Sequence, residues 1–457
     1  MLGINERNRK WWLLAAMSGV MGLVVLDETV VGVALATIQP ELGMTKTGAH
    51  WVVNAYFLTF TCFVAVGGRL GDVIGLRDLF LAGVTIFGLA SLAAGFAQDG
   101  AWLISARAVQ GVGGAIIFPT ALAAITHTFD LEQRGLALGI QTTVGAIFMS
   151  MGPLVGGYFS EVISWRWIFW INLPFVVVIG VLAMIGWSTA KQPGRAEDKK
   201  PHEGVDFPGL ITLVAGLSAL VVALMEGDAW GWVSVTTLSF FGAGVVLLIV
   251  FVTVELRRAN PLFELGLLRI ATFSGGNLVF FIFQWSQLAV FVFVALYFQD
   301  VLGDSPIDAG LIVLVAVAPT IATSLLAGKA ADRFGSRLPL SLGMLVQGVA
   351  LIVVGIGMEA ESHAIIITAL AVWGVAMPVV AVPTRRAVMS SVPATQRGQA
   401  GGVNLTIQML GGTIGVALCS TILAVTGDYA SMFFMTGAVM LLVLLVARLT
   451  IERHPQA

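Results

Sequence analysis

Two adjacent carboxylates, Asp27 and Glu28, stand in the apolar run VLDETVVGVALATIQP (residues 25–40), and Arg107 stands in a second apolar run, ARAVQGVGGA. A charged group at the centre of a membrane helix costs roughly 2.5–3.5 kcal/mol. Two unpaired acids would cost on the order of 5–7 kcal/mol, comparable with a domain's net stability. Such groups must pair, face a water-filled cavity or take up protons. Burial disfavours a charged carboxyl and a nearby cation favours it, so a carboxyl held between the two can load and release a proton. The chemistry these residues suit is proton-linked movement of a solute, not bond making. No nucleophile–base pair or metal-ligand cluster falls at membrane depth, so no catalytic or metal site is expected. Cys62 and Cys419 read as small core residues, and the five histidines lie in loops or at helix ends without metal-ligand spacing.

Helices must position these groups. At 1.5 Å per residue, Asp27 lies about nine residues, roughly 14 Å, from the outer end of its span. Arg107 lies about five residues below the outer start of its own span and has a long reach. Gln110 shares a face with Arg107 at i+3, near the depth of Asp27. A purely structural Asp27–Arg107 pair is the competing reading. Adjacent helical residues point about 100° apart, so Glu28 need not share a cavity with Asp27. It reads equally as a second titrating group, a ligand for a substrate cation, or a residue satisfied by a neighbouring helix.

Composition fixes the setting. Of 457 residues, 58% are hydrophobic and 11% charged, against about 25% charged in an average soluble domain. The mean hydropathy is +0.94. Cutting at polar and Gly/Pro-rich breaks leaves fourteen candidate spans, from 12–36 to 431–451. With the N-terminus inside, all but Lys46, Arg107 and Arg166 of the 24 Lys and Arg fall on the inner side, while acids such as Glu41, Asp99, Glu226 and Asp304 collect outside. Both termini are therefore expected to be cytoplasmic, in a multi-pass protein of the cell membrane. The first run is too long for a cleaved signal peptide. The longest polar connection, near 188–206, is too short for a domain, and no phosphate-binding loop occurs. Any work must come from an ion gradient or from the substrate's own gradient.

Two connections repeat. GRLGDVIGLR (68–77) and GKAADRFGSR (328–337) share Gly, Asp, Gly and Arg at an offset of 260 residues. An even number of spans separates them, so the halves run parallel, a transporter plan with its site between the halves near the midplane. Asp72 and Arg77, with Asp332, Arg333 and Arg337, suit a latch that breaks as the halves rock, although solvated turn charges would look alike.

These loops resemble the signature of the major facilitator superfamily, and the remainder of the chain resembles its fourteen-helix drug:proton antiporter branch. LDETVVGVAL is similar to that branch's first-helix pattern, ARAVQGVGGA to its fourth-helix motif, GPLVGGY to its fifth-helix antiporter motif, WRWIFWINLP to the opening of its sixth helix, and RGQAGGVNLTIQMLGGTIGVAL to its glycine-rich late helix. The resemblance implies an all-α membrane fold of fourteen helices. It implies a six-helix bundle (1–188), a linker (189–206), two additional helices (207–254), and an interfacial segment with a second six-helix bundle (255–457). It also implies Asp27 as the proton-linked carboxylate and Arg107 as its partner. Some positions depart from the pattern. Val73 and Leu76 replace basic residues, and Phe148 stands where a small residue is favoured. AVWGVAMPVVAVPT lacks an acid found in some multidrug members.

Trp51, Asn54, Tyr56 and Gln110 with Asn277, Gln284, Trp285 and Gln287 would suit a cavity wall for bulky amphipathic molecules, by stacking and alternative hydrogen bonds. Helix packing is the plainer reading of each. Gly152, Pro153, Gly156 and Gly157 read as close packing first and as a hinge second. The expected function is proton-coupled export of lipophilic or cationic small molecules by a monomer, with the proton as coupling ion, no cofactor and no nucleic-acid partner. Export of one specific metabolite or lipid, and a non-transporting sensor, are the alternatives.

Overall fold

The computed structural model describes residues 6–187, 207–258, 264–393 and 396–451. Among them the regular structure is helical throughout. The helices are α1 (Glu6–Glu41), α2 (Lys46–Ile74), α3 (Leu76–Gly95), α4 (Gly100–Thr128), α5 (Leu131–Tyr158), α6 (Trp167–Trp170) and α7 (Asn172–Gly186). They continue with α8 (Phe207–Trp230), α9 (Val235–Arg257), α10 (Ala271–Leu288), α11 (Ala295–Asp300), α12 (Pro306–Val317) and α13 (Pro319–Phe334). The last four are α14 (Arg337–Glu359), α15 (His363–Ser390), α16 (Arg397–Thr426) and α17 (Tyr429–Thr450). A π-helical segment, Ala289–Val294, joins α10 to α11, and another, Phe159–Ile163, extends α5. Among the described residues, thirteen helices are long and apolar enough to cross a membrane.

Side-chain chemistry sets the ends. Asp99 caps α4 by accepting from the Trp102 N–H at 2.8 Å, and Asp428 caps α17 by accepting from the N–H groups of Ala430 and Ser431. In the repeated connections, Gly75 and Gly335 take positive φ, +100° and +74°. That backbone suits glycine, which explains its recurrence there.

α1 to α7 pack among themselves, as do α10 to α17, while α8 and α9 form a hairpin. The two groups meet chiefly through α2 on α16 and α5 on α12. α8 lies against both α2 and α16. The hairpin is largely apolar, yet it carries specific bonds. Glu226 accepts from Trp51 Nε1 at 2.8 Å, and the Leu224 carbonyl accepts from Thr421 Oγ1 at 2.7 Å.

Phe148 departs from the small residue its motif favours, and the structure shows where the space is found. Gly22 of α1 lies opposite, where an added Cβ would come 2.8 Å from the Phe148 ring. A small residue on α1 thus accommodates the large one on α5.

Candidate functional site

The central polar cluster starts from glycines. An added Cβ at Gly111 would lie 2.3 Å from the Tyr56 carbonyl oxygen, and one at Gly113 would lie 2.7 Å from the Phe87 backbone nitrogen. The glycine run of α4 therefore lets α2 approach on one side and α3 on the other. The first approach brings Arg107 Nε to the Val52 carbonyl at 3.1 Å. The second brings Gln110 Nε2 to Ser91 Oγ at 2.8 Å.

Asp27 is fully buried and Arg107 is 1% exposed. Arg107 Nη1 donates to Asp27 Oδ2 and, at 2.6 Å, to Gln110 Oε1. Gln110 Nε2 donates to Asp27 Oδ1 at 2.9 Å. Asn172 Nδ2 reaches the same oxygen at 3.3 Å and Ser91 Oγ at 3.0 Å. The guanidinium lies 4.4 Å from the Tyr56 ring centroid and 5.8 Å from that of Phe169, within cation–π range. Two opposite charges enclosed by neutral donors and aromatic faces are mutually compensated. Removing one partner of such a pair costs about 3–5 kcal/mol, because the other is left buried and alone.

Glu28 differs from its neighbour. Leu26, Asp27, Thr29 and Val30 are buried, while Glu28 and Val25 are partly exposed. Thr29 beside it lies against Gly152 of α5, and Gly32 one turn on lies against the Phe291 backbone of the second group, so the exposure marks an opening between the two helix groups and not a lipid face. Among the described residues no hydrogen bond holds the Glu28 carboxylate.

The antiporter-like motif packs α5 on two sides. Gly152 lies against Thr29 and Gly156 against the Val30 carbonyl, both on α1. Gly157 lies against Pro306 and Ile307, and the Pro153 carbonyl against Gly310, both on α12.

The remaining candidates scatter. Trp51 is bonded to Glu226. Asn54 is fully buried and its amide has no hydrogen-bond partner among the described residues. Asn277 accepts from Asn404 at 2.9 Å, Gln284 accepts from Gln408 at 2.9 Å, and Trp285 Nε1 faces Cys419 Sγ at 3.4 Å, so all three tie α10 to α16. Gln287 crosses to Met149 Sδ at 3.6 Å. The side chain of Asp72 lies outside the described residues. Arg77 Nε is buried without a hydrogen-bond partner among them. Asp332 pairs with Arg386 of α15 at 2.6 Å, and Arg333 lies over Phe334. The second repeated loop is thus tied to α15 through a residue outside the repeat.

Sequence reasoning missed Ser91, Asn172 and a polar seam between α2 and α16. Asn172 stands inside the quoted WRWIFWINLP segment, so its motif was visible although its role was not. Ser91 gives no signal, because a serine in an apolar helix is ordinary. His50, in the first turns of α2, is buried and pairs with Ser420. One further bond joins Thr61 to Thr413 at 3.3 Å. The far face is the one holding residues 42–45, 231–234 and 301–305. On that side Gln299 Nε2 donates to the Val33 carbonyl at 2.9 Å, and Ile307 N–H donates to Glu161 at 3.0 Å. Those contacts join the two groups. Among the described residues, no group of three or more His, Cys, Asp or Glu could hold a metal ion.

A family model described as Major Facilitator Superfamily matches residues 17–277 and 276–457. A tetracenomycin C resistance and export protein from Streptomyces glaucescens is 32% identical, covering 92% of this chain and 77% of that one. A puromycin resistance protein from Streptomyces alboniger is 32% identical, covering 91% and 82%. A multidrug resistance protein from Mycobacterium tuberculosis is 30% identical, covering 90% and 76%. The crystal structure of a POT family transporter in complex with 5-aminolevulinic acid superposes with TM-score 0.74 over 95% of this chain and 94% of that one, at 15% identity. A D-xylose–proton symporter gives 0.69 over 97% and 98%, at 13% identity. The two structures establish likeness of fold.

Proposed function

Because the chain belongs to the major facilitator superfamily, we propose that it is a proton-coupled exporter of lipophilic or cationic small molecules, working by alternating access. It is a multi-pass membrane transporter and not an enzyme. The proposal places the terminus face, where α1 begins and α17 ends, in the cytoplasm. It counts α2 with the thirteen apolar helices, giving fourteen crossings. Residues 1–188 and 255–457 are then the two moving bundles, joined by the linker 189–206 and the helix pair 207–254.

Asp27 is the proton-coupling carboxylate. A proton reaching it from the far side cancels its charge and frees Arg107, and the neutralised site favours the bundle arrangement that returns to the cytoplasmic side. Loss of the proton there restores the pair drawn by the present geometry. If one net charge moves inward per cycle, the membrane potential adds about 2.3 kcal/mol per 100 mV. Glu28, open to the interior beside this pair, meets the solute. The amides and aromatics of α2 and α10 make the cavity walls, and the two repeated loops act as latches. The joined far face supports a state open toward the cytoplasm.

The observation that carries the reading is the fully buried Asp27 carboxylate, bonded to Arg107 and Gln110 and approached by Asn172. The test is export driven by an imposed pH gradient in proteoliposomes. Asp27→Asn should abolish proton-driven export and leave passive counterflow measurable. Proton-driven export at the wild-type rate in that variant overturns the proposal.

A further inference from the structure

Arg385 and Arg386 are neighbours near the terminus-face end of α15, yet they behave differently. Arg386 reaches Asp332 at 2.6 Å. Arg385 lies over the Phe280 ring of α10, its guanidinium carbon 5.5 Å from the centroid. Among the described residues it has no carboxylate partner and no hydrogen bond.

The helix register shows where Arg385 points. Gly276 of α10 fits against Val388 and Thr384, an added Cβ there falling 2.3 Å from Val388 Cγ2. Phe280 is one turn deeper than Gly276, about 6 Å at 1.5 Å per residue. The Arg385 side chain therefore crosses the α10 face near its own depth instead of running down to the helix end. A long cation at such a position ordinarily extends toward interfacial water.

Its exposure is not toward lipid. The lipid-side stripe of α15 follows Ile365, Thr368, Val372, Val375, Val379, Val382 and Arg386, all exposed or half-buried at helical spacing. Arg385 falls on the face of Gly374, Pro378 and Ala381. At mid-depth that face is closed, Gly374 packing on the Ala316 carbonyl of α12. Ala381 is half-buried and Arg385 exposed, so the face opens progressively toward the terminus side. A cation with no acidic partner among the described residues thus lines an internal opening, backed by an aromatic ring.

We propose that Arg385 is an anion-recognising group in the exporter's cytoplasm-facing opening, taking the carboxylate or phenolate of an amphipathic solute. With Glu28 available on the other bundle, the range of solutes extends from cations to anionic and amphoteric molecules. The proposal rests on the transporter reading above. Its test separates the two by measuring binding as well as flux.

The probes are fluorescein, an aromatic carboxylate and phenolate, and ethidium, an aromatic cation. Binding to the purified full-length protein is followed by fluorescence anisotropy. Arg385→Gln is expected to weaken fluorescein binding about ten-fold, the effect of losing one charge-assisted hydrogen bond. Arg385→Lys should retain part of the affinity, and ethidium binding should not change. In vesicles of phosphatidylcholine, Arg385→Gln should raise KM for fluorescein and spare kcat. Absent fluorescein binding by the wild type, equal loss for both dyes, or no loss in Arg385→Gln overturns the proposal. If the loss appears for both dyes and only in vesicles containing phosphatidylglycerol, the arginine holds a lipid headgroup and the solute assignment is overturned. Failure of the exporter reading shows separately, as wild-type binding without flux driven by a pH gradient.

Discussion

His50 of α2 and Ser420 of α16 meet at 2.7 Å across the junction of the two helix groups, with the His50 ring edge-on to Phe293 at 5.0 Å. The two residues are 370 positions apart, and both side chains are buried. A hydrogen bond of this kind contributes about 0.5–1.5 kcal/mol. His50→Ala should therefore shift the balance between closed and open far face by roughly 2- to 12-fold toward open. Distances between spin labels at Leu42 and Leu302 measure this directly. An unchanged distribution would mean the bond is incidental to closure.

The Asp27–Arg107 pair should be strongly non-additive. Asp27→Asn leaves Arg107 buried without its counter-charge, and Arg107→Gln does the reverse. Each single change is expected to lower stability in detergent by about 3–5 kcal/mol, while the double change costs distinctly less than the sum. Thermal unfolding of the four proteins gives the coupling. Additive losses would show the two groups do not compensate each other.

Asn172 supports Asp27 without facing the internal opening. Its Nδ2 spans Asp27 and Ser91, and its own Oδ1 is buried with no partner among the described residues. Asn172→Leu removes a donor to both oxygens, a loss of about 1–3 kcal/mol where the groups stay buried. Proton-driven export should slow while solute KM stays the same. A raised KM with unchanged maximal rate would instead place Asn172 against the solute.

How far the site was legible follows the range of each interaction. The spans follow from hydropathy, a property summed over twenty residues and insensitive to packing. Gln110 was readable because i+3 spacing fixes a shared face. Arg107 as the partner of Asp27 came from resemblance and depth together. Ser91 and Ser420 were not readable, since each acquires its partners only when separate helices pack together. Asp332 illustrates the same limit. Its loop suggested a partner within the repeat, whereas the fold brings Arg386 from α15. Phe148 shows compensation: the departure appeared within its motif, but the accommodating Gly22 lies on another helix.

Trp51 and Glu226 give the α8–α9 hairpin a specific attachment. Their hydrogen bond sits at the far end of α2, near the His50–Ser420 contact, while Thr421 holds α8 to α16. Glu226→Gln keeps an oxygen acceptor for the indole N–H, whereas Glu226→Ala removes it. The alanine variant should increase hydrogen exchange in α8 and the glutamine variant should not. Equal protection in both would show that the Trp51 bond adds nothing to the hold of Thr421 and apolar packing on the hairpin.

Gly111 and Gly139 offer matched substitutions on neighbouring helices with opposite expected signs. An added Cβ at Gly111 would meet Thr59 Oγ1 at 2.2 Å and the Tyr56 carbonyl oxygen at 2.3 Å, one of them backbone. Gly111→Ala must therefore push α4 away from α2 and stretch the Arg107–Val52 bond beside it. Overpacking of this kind costs about 1–3 kcal/mol. Gly139 has no heavy atom within 4 Å of the added Cβ, and alanine in a helix interior is favoured over glycine by roughly 0.5–1 kcal/mol. Gly139→Ala should thus keep or raise thermal stability and leave proton-driven export intact, while Gly111→Ala lowers both. If both variants behave alike, the glycine run of α4 is not what seats Arg107, and the site's geometry must be set by α1 and α7.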